Sequence, residues 1–256
     1  MATASAIEWT EQTWNPTTGC TKVSAGCKNC YAEVMANRLT AMGAPGYENN
    51  FKLTLQPSRL SQPLERKKPT TYFVNSMSDL FHEDIPDVFL DQVFSVIKQT
   101  PQHTYQILTK RAERLPVYFA NRECPQNVWL GVSVEDKRHG VPRIDYLRQV
   151  DAHIRFLSVE PLLEDIGKIN LEGIHWVIVG GESGHKARPM REEWAVNVQI
   201  QAERAGAAFF FKQWGGWGAD GVKRNKKHNG RELKGRTWDS YPPQLPEKSV
   251  SQVQLL

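Results

Sequence analysis

A chain of 256 residues, 40% of them hydrophobic, is long enough to bury a full core as one large α/β domain or two small ones. No run approaches the roughly 20 apolar residues of a membrane span, and residues 1–8 have neither the basic nor the apolar region of a secretory signal, so a cytoplasmic, reducing setting is expected and membrane and secreted classes are set aside. The net charge of +4 is local: seven Lys/Arg against one acid between positions 223 and 236 give that stretch +6 and leave −2 for the remainder.

Residues 7–19, rich in Trp, Thr, Asn and Pro, read as a short strand or an extended lead. They open into Gly19-Cys20-Thr21-Lys22-Val23-Ser24-Ala25-Gly26-Cys27-Lys28-Asn29-Cys30-Tyr31, which puts three of the four cysteines within eleven residues at the spacing C-x6-C-x2-C. A helix is expected over 31–42, stopped by Gly43-Ala44-Pro45-Gly46. Two thiolates at such a loop-to-helix junction can face one metal centre while the loop supplies the third. Residues 47–69 lack clear periodicity, and a connection of that length points to a function or a short helix of its own.

Beyond residue 70 short β-branched and aromatic runs (71–75, 104–109, 128–133, 154–159, 174–180 and 207–212) alternate with stretches of helical period (87–99, 111–121, 142–150 and 191–205). Strand–helix alternation of this kind predicts a parallel sheet, here an α/β fold with a full or partial (β/α) barrel of about six parallel strands. Each run ends in polar or charged residues: Asn75-Ser76-Met77-Ser78-Asp79, Lys110-Arg111, Glu135-Asp136, Glu160, Gly180-Gly181-Glu182-Ser183-Gly184 and Lys212-Gln213-Trp214. One or two such ends would simply meet solvent. All of them together point to a shared pocket at the face where barrel enzymes build their sites.

A closed structural zinc site takes four ligands, usually from two paired clusters. This motif has one pair, the first His of the chain is His82, and Cys124 precedes a strand and so belongs at the opposite end of the barrel. Cys20, Cys27 and Cys30 around an iron–sulfur cluster, with one iron left open, fit the pattern better; structural zinc stays as the alternative. Lys110 and Arg111 are candidates for an anionic ligand, because cations at a helix start run against its dipole. His82 reads as a loop hydrogen-bonder. Trp214, in Trp214-Gly215-Gly216-Trp217, either stacks on a base or plugs the barrel. Asn229-Gly230 predicts a basic hairpin, with Lys223, Arg224, Lys226, Lys227 and Arg231 as candidate phosphate contacts; a solvated charge run is the competing account. The expected organisation is a barrel domain over 1–218, a hairpin extension over 219–242 and a disordered tail over 243–256.

Trp14-Asn15-Pro16, Gly19-Cys20, Phe73-Val74-Asn75-Ser76-Met77-Ser78-Asp79-Leu80-Phe81-His82, Leu108-Thr109-Lys110-Arg111, Trp129-Leu130-Gly131-Val132-Ser133-Val134-Glu135, Gly180-Gly181-Glu182-Ser183-Gly184 and Phe210-Phe211-Lys212-Gln213-Trp214-Gly215 together resemble a phage- and bacteria-borne three-Cys-motif family of unknown function. That family is itself similar to radical S-adenosylmethionine enzymes such as the spore photoproduct lyases. The resemblance implies a 4Fe-4S cluster on the three cysteines, with S-adenosylmethionine on the open iron and a 5′-deoxyadenosyl radical as the reactive species. Two departures stand out. The superfamily usually has three residues between its first two cysteines, against six here, and its Gly-Gly-Glu after the second strand is replaced by Asn75 to Asp79. Ser76 and Asp79, with Asn75, are therefore the expected contacts of the cofactor's amino group. Lys110 suits its carboxylate, Glu135 and Glu160 its ribose hydroxyls, and Glu182 a ribose or substrate contact or a structural acid. The expected activity is modification or repair of a nucleic acid or nucleotide, with an electron donor as partner. A non-catalytic nucleic-acid-binding module with a structural zinc or cluster is the alternative.

Overall fold

The structure is a computed structural model and describes residues 3–4 and 7–242. Strand β1 (Thr3–Ala4) and strand β2 (Gln12–Trp14) lead to a small antiparallel pair, β3 (Thr17–Thr18) with β4 (Thr54–Leu55). Between the members of that pair lie the cysteine loop and helix α1 (Tyr31–Ala41). The alternation expected from the sequence comes next: β5 (Thr71–Val74), α2 (Asp87–Gln99), β6 (Thr104–Thr109), α3 (Arg114–Phe119), β7 (Val128–Ser133), α4 (Arg143–Arg148), β8 (Ile154–Val159), β9 (Trp176–Gly180), α5 (Glu192–Arg204) and β10 (Ala208–Gln213). A single turn of helix, α6 (Lys226–Asn229), comes last. The irregular stretch before β5 holds two short 3-10 turns, Pro57–Arg59 and Gln62–Glu65.

The main sheet runs β1-β2-β5-β6-β7-β8-β9-β10, antiparallel between β1 and β2 and parallel throughout the rest. Seven parallel strands curl into a half-barrel with helices around it. The seventh, beyond the six expected, is β2: the extended lead pairs Gln12, Thr13 and Trp14 with Tyr72, Phe73 and Val74.

Both faces of the sheet are buried, and the period of two decides which residue serves which face. Val74, Ile107, Leu130, Leu157, Val177 and Val179 join the core shared with the helices. Alternate positions, Phe73, Phe156, Trp176, Ile178 and Phe210, gather with Trp9 in a separate aromatic cluster. On α2, Phe89, Leu90, Val93, Phe94, Val96 and Ile97 are buried while Val88 is 65% exposed. Each such buried side chain contributes at most about 1.5–3 kcal/mol. The aromatic cluster packs the inside of the half-barrel, and its Trp9 and Phe73 also line a cavity bounded by the polar strand ends.

The hairpin turn expected at Asn229-Gly230 does not form there; within the same basic segment Leu233 and Arg236 make an antiparallel bridge over Lys234 and Gly235, both at positive φ (54° and 74°). Asn225 caps α6 by accepting from the His228 backbone N–H at 2.9 Å, and the Asn229 side chain donates to the Gly215 carbonyl at 2.9 Å. Only Gly230 of the Asn-Gly pair takes a positive φ (72°), ending the turn rather than making a two-residue hairpin. The segment after Gly230 packs back on β10: Phe211 N–H donates to the Trp238 carbonyl at 2.9 Å, and Tyr241 stacks on Trp176 at 5.3 Å. The tail expected over 243–256 lies outside the described residues. Among those residues no helix is long and apolar enough to cross a membrane.

Candidate active site

The cysteine loop crosses the C-terminal ends of the strands, and buried charges on four different strand ends hold it there. At its start, Arg111 donates to the Thr21 carbonyl at 3.2 Å, to Thr21 Oγ1 at 2.7 Å and to Cys20 Sγ at 3.4 Å. Arg111 is itself fixed by Asp79 Oδ2 at 3.3 Å and Glu83 Oε2 at 2.5 Å. Burial opposes its charge, but Asp79, Cys20 and Glu83 outweigh that and push its pKa above the usual guanidinium value. His82 completes this corner: Nδ1 accepts from the Asp84 N–H at 3.1 Å, so Nε2 carries the proton and donates to Thr21 Oγ1 at 2.9 Å. Burial and the nearby Arg111 keep the ring neutral by lowering its pKa.

The middle of the loop rests on Glu135, whose side chain is fully buried. Ser24 Oγ donates to Oε1, Arg143 Nη1 donates to Oε2 at 2.7 Å, and Lys110 Nζ lies 3.5 Å from Oε2. Burial raises the carboxyl's pKa, but Lys110 and Arg143 together carry it below the ordinary value. Gly26 lies directly over this carboxylate: a Cβ there would come within 2.9 Å of Glu135 Cγ and Oε1. The third support is Glu182. Asn29, inside the C-x2-C pair, donates to its Oε2 at 3.1 Å, and Arg188 reaches the same carboxylate through its backbone N–H at 2.8 Å, Nε at 2.9 Å and Nη2 at 2.5 Å. Arg188 Nη2 also donates to the Ala25 carbonyl at 3.0 Å, so Glu182 sets the loop through a guanidinium. Burial raises the Glu182 pKa and the Arg188 bonds more than offset it.

The outcome is that Cys20, Cys27 and Cys30, none of them in a disulfide, line one cavity of about 570 Å³. Cys30 is also the N-cap residue of α1. Burial and the charge of Asp79 push the Cys20 thiol up to about 11, with Arg111 pulling the other way. Among the described residues no three His, Cys, Asp or Glu side chains gather at a point as a single metal ion requires. Cys124 packs against the core at the far end of the sheet and does not line the cavity. Among the described residues the cavity lining holds these three thiols but neither a His nor Cys124, a donor set that fits the three ligated corners of a cluster better than a closed Cys/His zinc site.

The other expected site residues support the loop, line the cavity or, as Asn75 and Asp79, do both. Asp79 accepts from the backbone N–H of Phe81 (3.0 Å) and Lys110 (2.9 Å), from Thr109 Oγ1 (2.7 Å) and from Arg111, which occupies a carboxylate's four lone-pair positions. Asn75 is a buried turn residue at φ 59°, in the left-handed region that Asn tolerates, with its side chain donating to Thr17 Oγ1 at 2.8 Å. Ser76 lines the cavity, its hydroxyl 3.2 Å from Asn15 Oδ1 and its carbonyl accepting from the Tyr31 hydroxyl. Glu160, also lining it, accepts from Lys212 Nζ at 2.9 Å and from Gln213 Nε2 at 3.2 Å. Gln213 donates a second bond to Ser183 Oγ at 2.9 Å, while its Oε1 is buried with no hydrogen-bond partner.

Trp214 is not offered for stacking. It is 2% exposed, packed on Phe211, and spends its indole N–H on the Glu232 carbonyl at 2.7 Å. Nor is the basic segment a uniform patch. Arg224 is bidentate to Asp220, Arg231 ties the Lys212 carbonyl to Asp239, and Lys223 donates to the His185 carbonyl at 2.5 Å. Lys226 lies 3.5 Å from Glu8 and, among these cations, is the one that lines the cavity; Lys227 is exposed. Sequence reasoning missed Ser24, Asn29, Arg143 and Arg188 as parts of the site. The first two lie within the cysteine motif and were open to inspection, but nothing in the spacing of the arginines marks them.

A family model described as protein of unknown function (DUF5131) matches residues 4–242. The chain belongs to that family. No curated protein matches it. Among solved structures, two of spore photoproduct lyase variants superpose with TM-scores of 0.51 and 0.50 at 14% and 13% identity, each covering 82% of this chain and 78% of the other. A third, holding AdoMet and dinucleoside spore photoproduct, gives a TM-score of 0.45 at 14% identity over 70% of this chain; the chain spans only 58% of its length. At these identities the likeness is one of fold.

Proposed function

We propose that this chain is a radical S-adenosylmethionine-type iron–sulfur enzyme that acts on a nucleic acid or nucleotide in a reducing, cytoplasmic setting. The observation that carries the proposal is the convergence of three uncrosslinked cysteines on the mouth of one cavity, on a loop held from below by Arg111, Glu135 and Glu182. The half-barrel shared with spore photoproduct lyase supports it. When bound, the 4Fe-4S cluster and S-adenosylmethionine would supply one-electron cleavage of the sulfonium C–S bond and a 5′-deoxyadenosyl radical, with an external electron donor as partner.

The chain's own residues then divide the work. Cys20, Cys27 and Cys30 would hold three irons of the cluster. Ser76 is the lining group best placed for an amino group, with Asn75 and Asp79 shaping the turn that presents it. Lys110 Nζ, at the edge of the cavity beside Glu135, offers a cation to a carboxylate. Glu160, Lys212 and Gln213 offer acceptors and a donor for hydroxyl or base edges. Lys226 gives the mouth a contact for phosphate.

Anaerobically prepared protein is expected to carry a full cluster's iron and sulfide with visible charge-transfer absorption, and to release 5′-deoxyadenosine on reduction with dithionite in the presence of S-adenosylmethionine. Cys27→Ala should abolish both. Stoichiometric zinc without that absorption would overturn the enzyme in favour of a structural metal module. Oligonucleotide affinity that ignored salt would remove the nucleic-acid half of the proposal.

A further inference from the structure

Arg111 touches more than the loop's backbone: its Nη1 lies 3.4 Å from the sulfur of Cys20. Arg111 is 4% exposed, and the remaining donors of its guanidinium are taken by Thr21, Asp79 and Glu83. A cation so placed is screened little by water and has no room to turn away. Asp79 is just as fixed, accepting from three other donors besides Arg111, so the pair forms one rigid unit behind the sulfur. Glu83 differs, for its side chain is 61% exposed and reaches Arg111 from the solvent side. Among the described residues neither of the other two thiols receives a hydrogen bond from a cation: Cys27 Sγ has Ser24 Oγ at 3.8 Å, and Lys22 interacts with Cys27 and Cys30 only through space.

Resting on the iron–sulfur assignment above, we infer that Arg111 sets the reduction potential of the cluster by donating a charged hydrogen bond to the Cys20 thiolate. Adding an electron to a thiolate-bound cluster increases the negative charge on its sulfurs. A fixed cation and hydrogen-bond donor at one of them stabilises the reduced form and raises the potential. Arg111, at the cavity wall, is thus a positioning and tuning residue that acts on the cluster through Cys20. Because Glu83 partly neutralises the same guanidinium, loss of its charge should act in the opposite direction. Opposite signs from two residues of one hydrogen-bonded pair are what a purely structural clamp does not produce.

The test is an EPR-monitored redox titration of anaerobically reconstituted protein, with iron content measured on each sample. Arg111→Met is expected to lower the ratio of reduced to oxidised cluster at a fixed potential about tenfold, which is about 59 mV for a one-electron couple. Arg111→Lys should recover part of that loss, and Glu83→Gln should raise the ratio above wild type at unchanged iron content. Should Arg111→Met fail to fold, the lysine variant and Glu83→Gln still decide the sign. Equal potentials in all cluster-loaded variants, or shifts of the same sign at both residues, would overturn the inference. Wild-type protein that assembles no cluster would instead overturn the function proposed above.

Discussion

Glu135→Ala is expected to lower the unfolding free energy by about 3–5 kcal/mol, the cost of removing one partner from a buried ion pair. The variant strands Arg143, 5% exposed, with the Ser133 carbonyl at 2.8 Å as its remaining neutral partner, and it also frees Ser24 and Lys110. Urea unfolding at unchanged m-value measures the loss, and faster hydrogen exchange or proteolysis within residues 20–30 should accompany it. Glu135→Gln keeps the shape and an acceptor and should cost less, about 1–3 kcal/mol.

The same carboxylate makes a pH prediction. Glu135 and Glu182 are both held below their ordinary value of 4.5 in the folded chain, so the unfolded chain binds more protons in that range. Their contribution is complete above about pH 4.5 and is lost as pH falls through the folded values. His82, depressed below its ordinary 6.5, has the same sign and begins its loss nearer neutrality. Stability of the metal-free protein should therefore fall continuously on acidification from neutral pH, and less steeply in Glu135→Gln. A flat profile between pH 6.5 and 4.5 would show that His82 is not held neutral.

Gly181→Ala carries the second large expected effect. A Cβ at Gly181 would stand 2.0 Å from the Trp214 carbonyl oxygen, a backbone atom with no rotamer to yield. The contact is tight because the two strand ends are stitched together: Gly181 N–H donates to the Gln213 carbonyl at 2.9 Å and Gly216 N–H to the Glu182 carbonyl at 2.8 Å. Overpacking against backbone costs about 3 kcal/mol or more, and a protein of this size should lose roughly 6–12 °C in melting temperature. Gly184, with open space around it at φ 101°, is the control, since alanine there meets only backbone strain of about 1–2 kcal/mol. Equal losses at both positions would show that steric contact with Trp214 is not what Gly181 avoids.

This stitching is the work of the Gly-Gly-Glu motif. Its second glycine lets β9 and β10 meet backbone to backbone, its first leaves room for the Glu160 side chain, and its acid holds the cysteine loop through Asn29 and Arg188. From the sequence the motif reads equally well as a ligand contact, because the partner that explains it, Trp214, lies 33 positions away.

The strands and helices were legible because their cause is local: β-branched and aromatic runs of period two, and apolar faces such as that of α2, state their structure within a few residues. The hairpin turn was misplaced for a reason of the same scale: it closes over Lys234-Gly235, not Asn229-Gly230. Asn-Gly favours a two-residue turn only when both residues are free to take positive φ, and here Asn225 and the Gly215 carbonyl hold the segment as a turn of helix.

The cysteine loop itself is determined by the sequence alone. Three thiols at C-x6-C-x2-C ahead of a strand–helix alternation, and polar residues after every strand, are properties of spacing, and spacing is what a sequence records. What those polar residues do was decided in three dimensions. Asp79, Glu135 and Glu182 are buried beneath the loop with arginine partners 32, 8 and 6 positions away, Asp79 and Glu182 also reaching the cavity wall, and Glu160 lines the cavity with Lys212, 52 positions on. A carboxylate taken from water needs a cation and several donors around it, and only the closed fold determines which strand ends can bring them within reach.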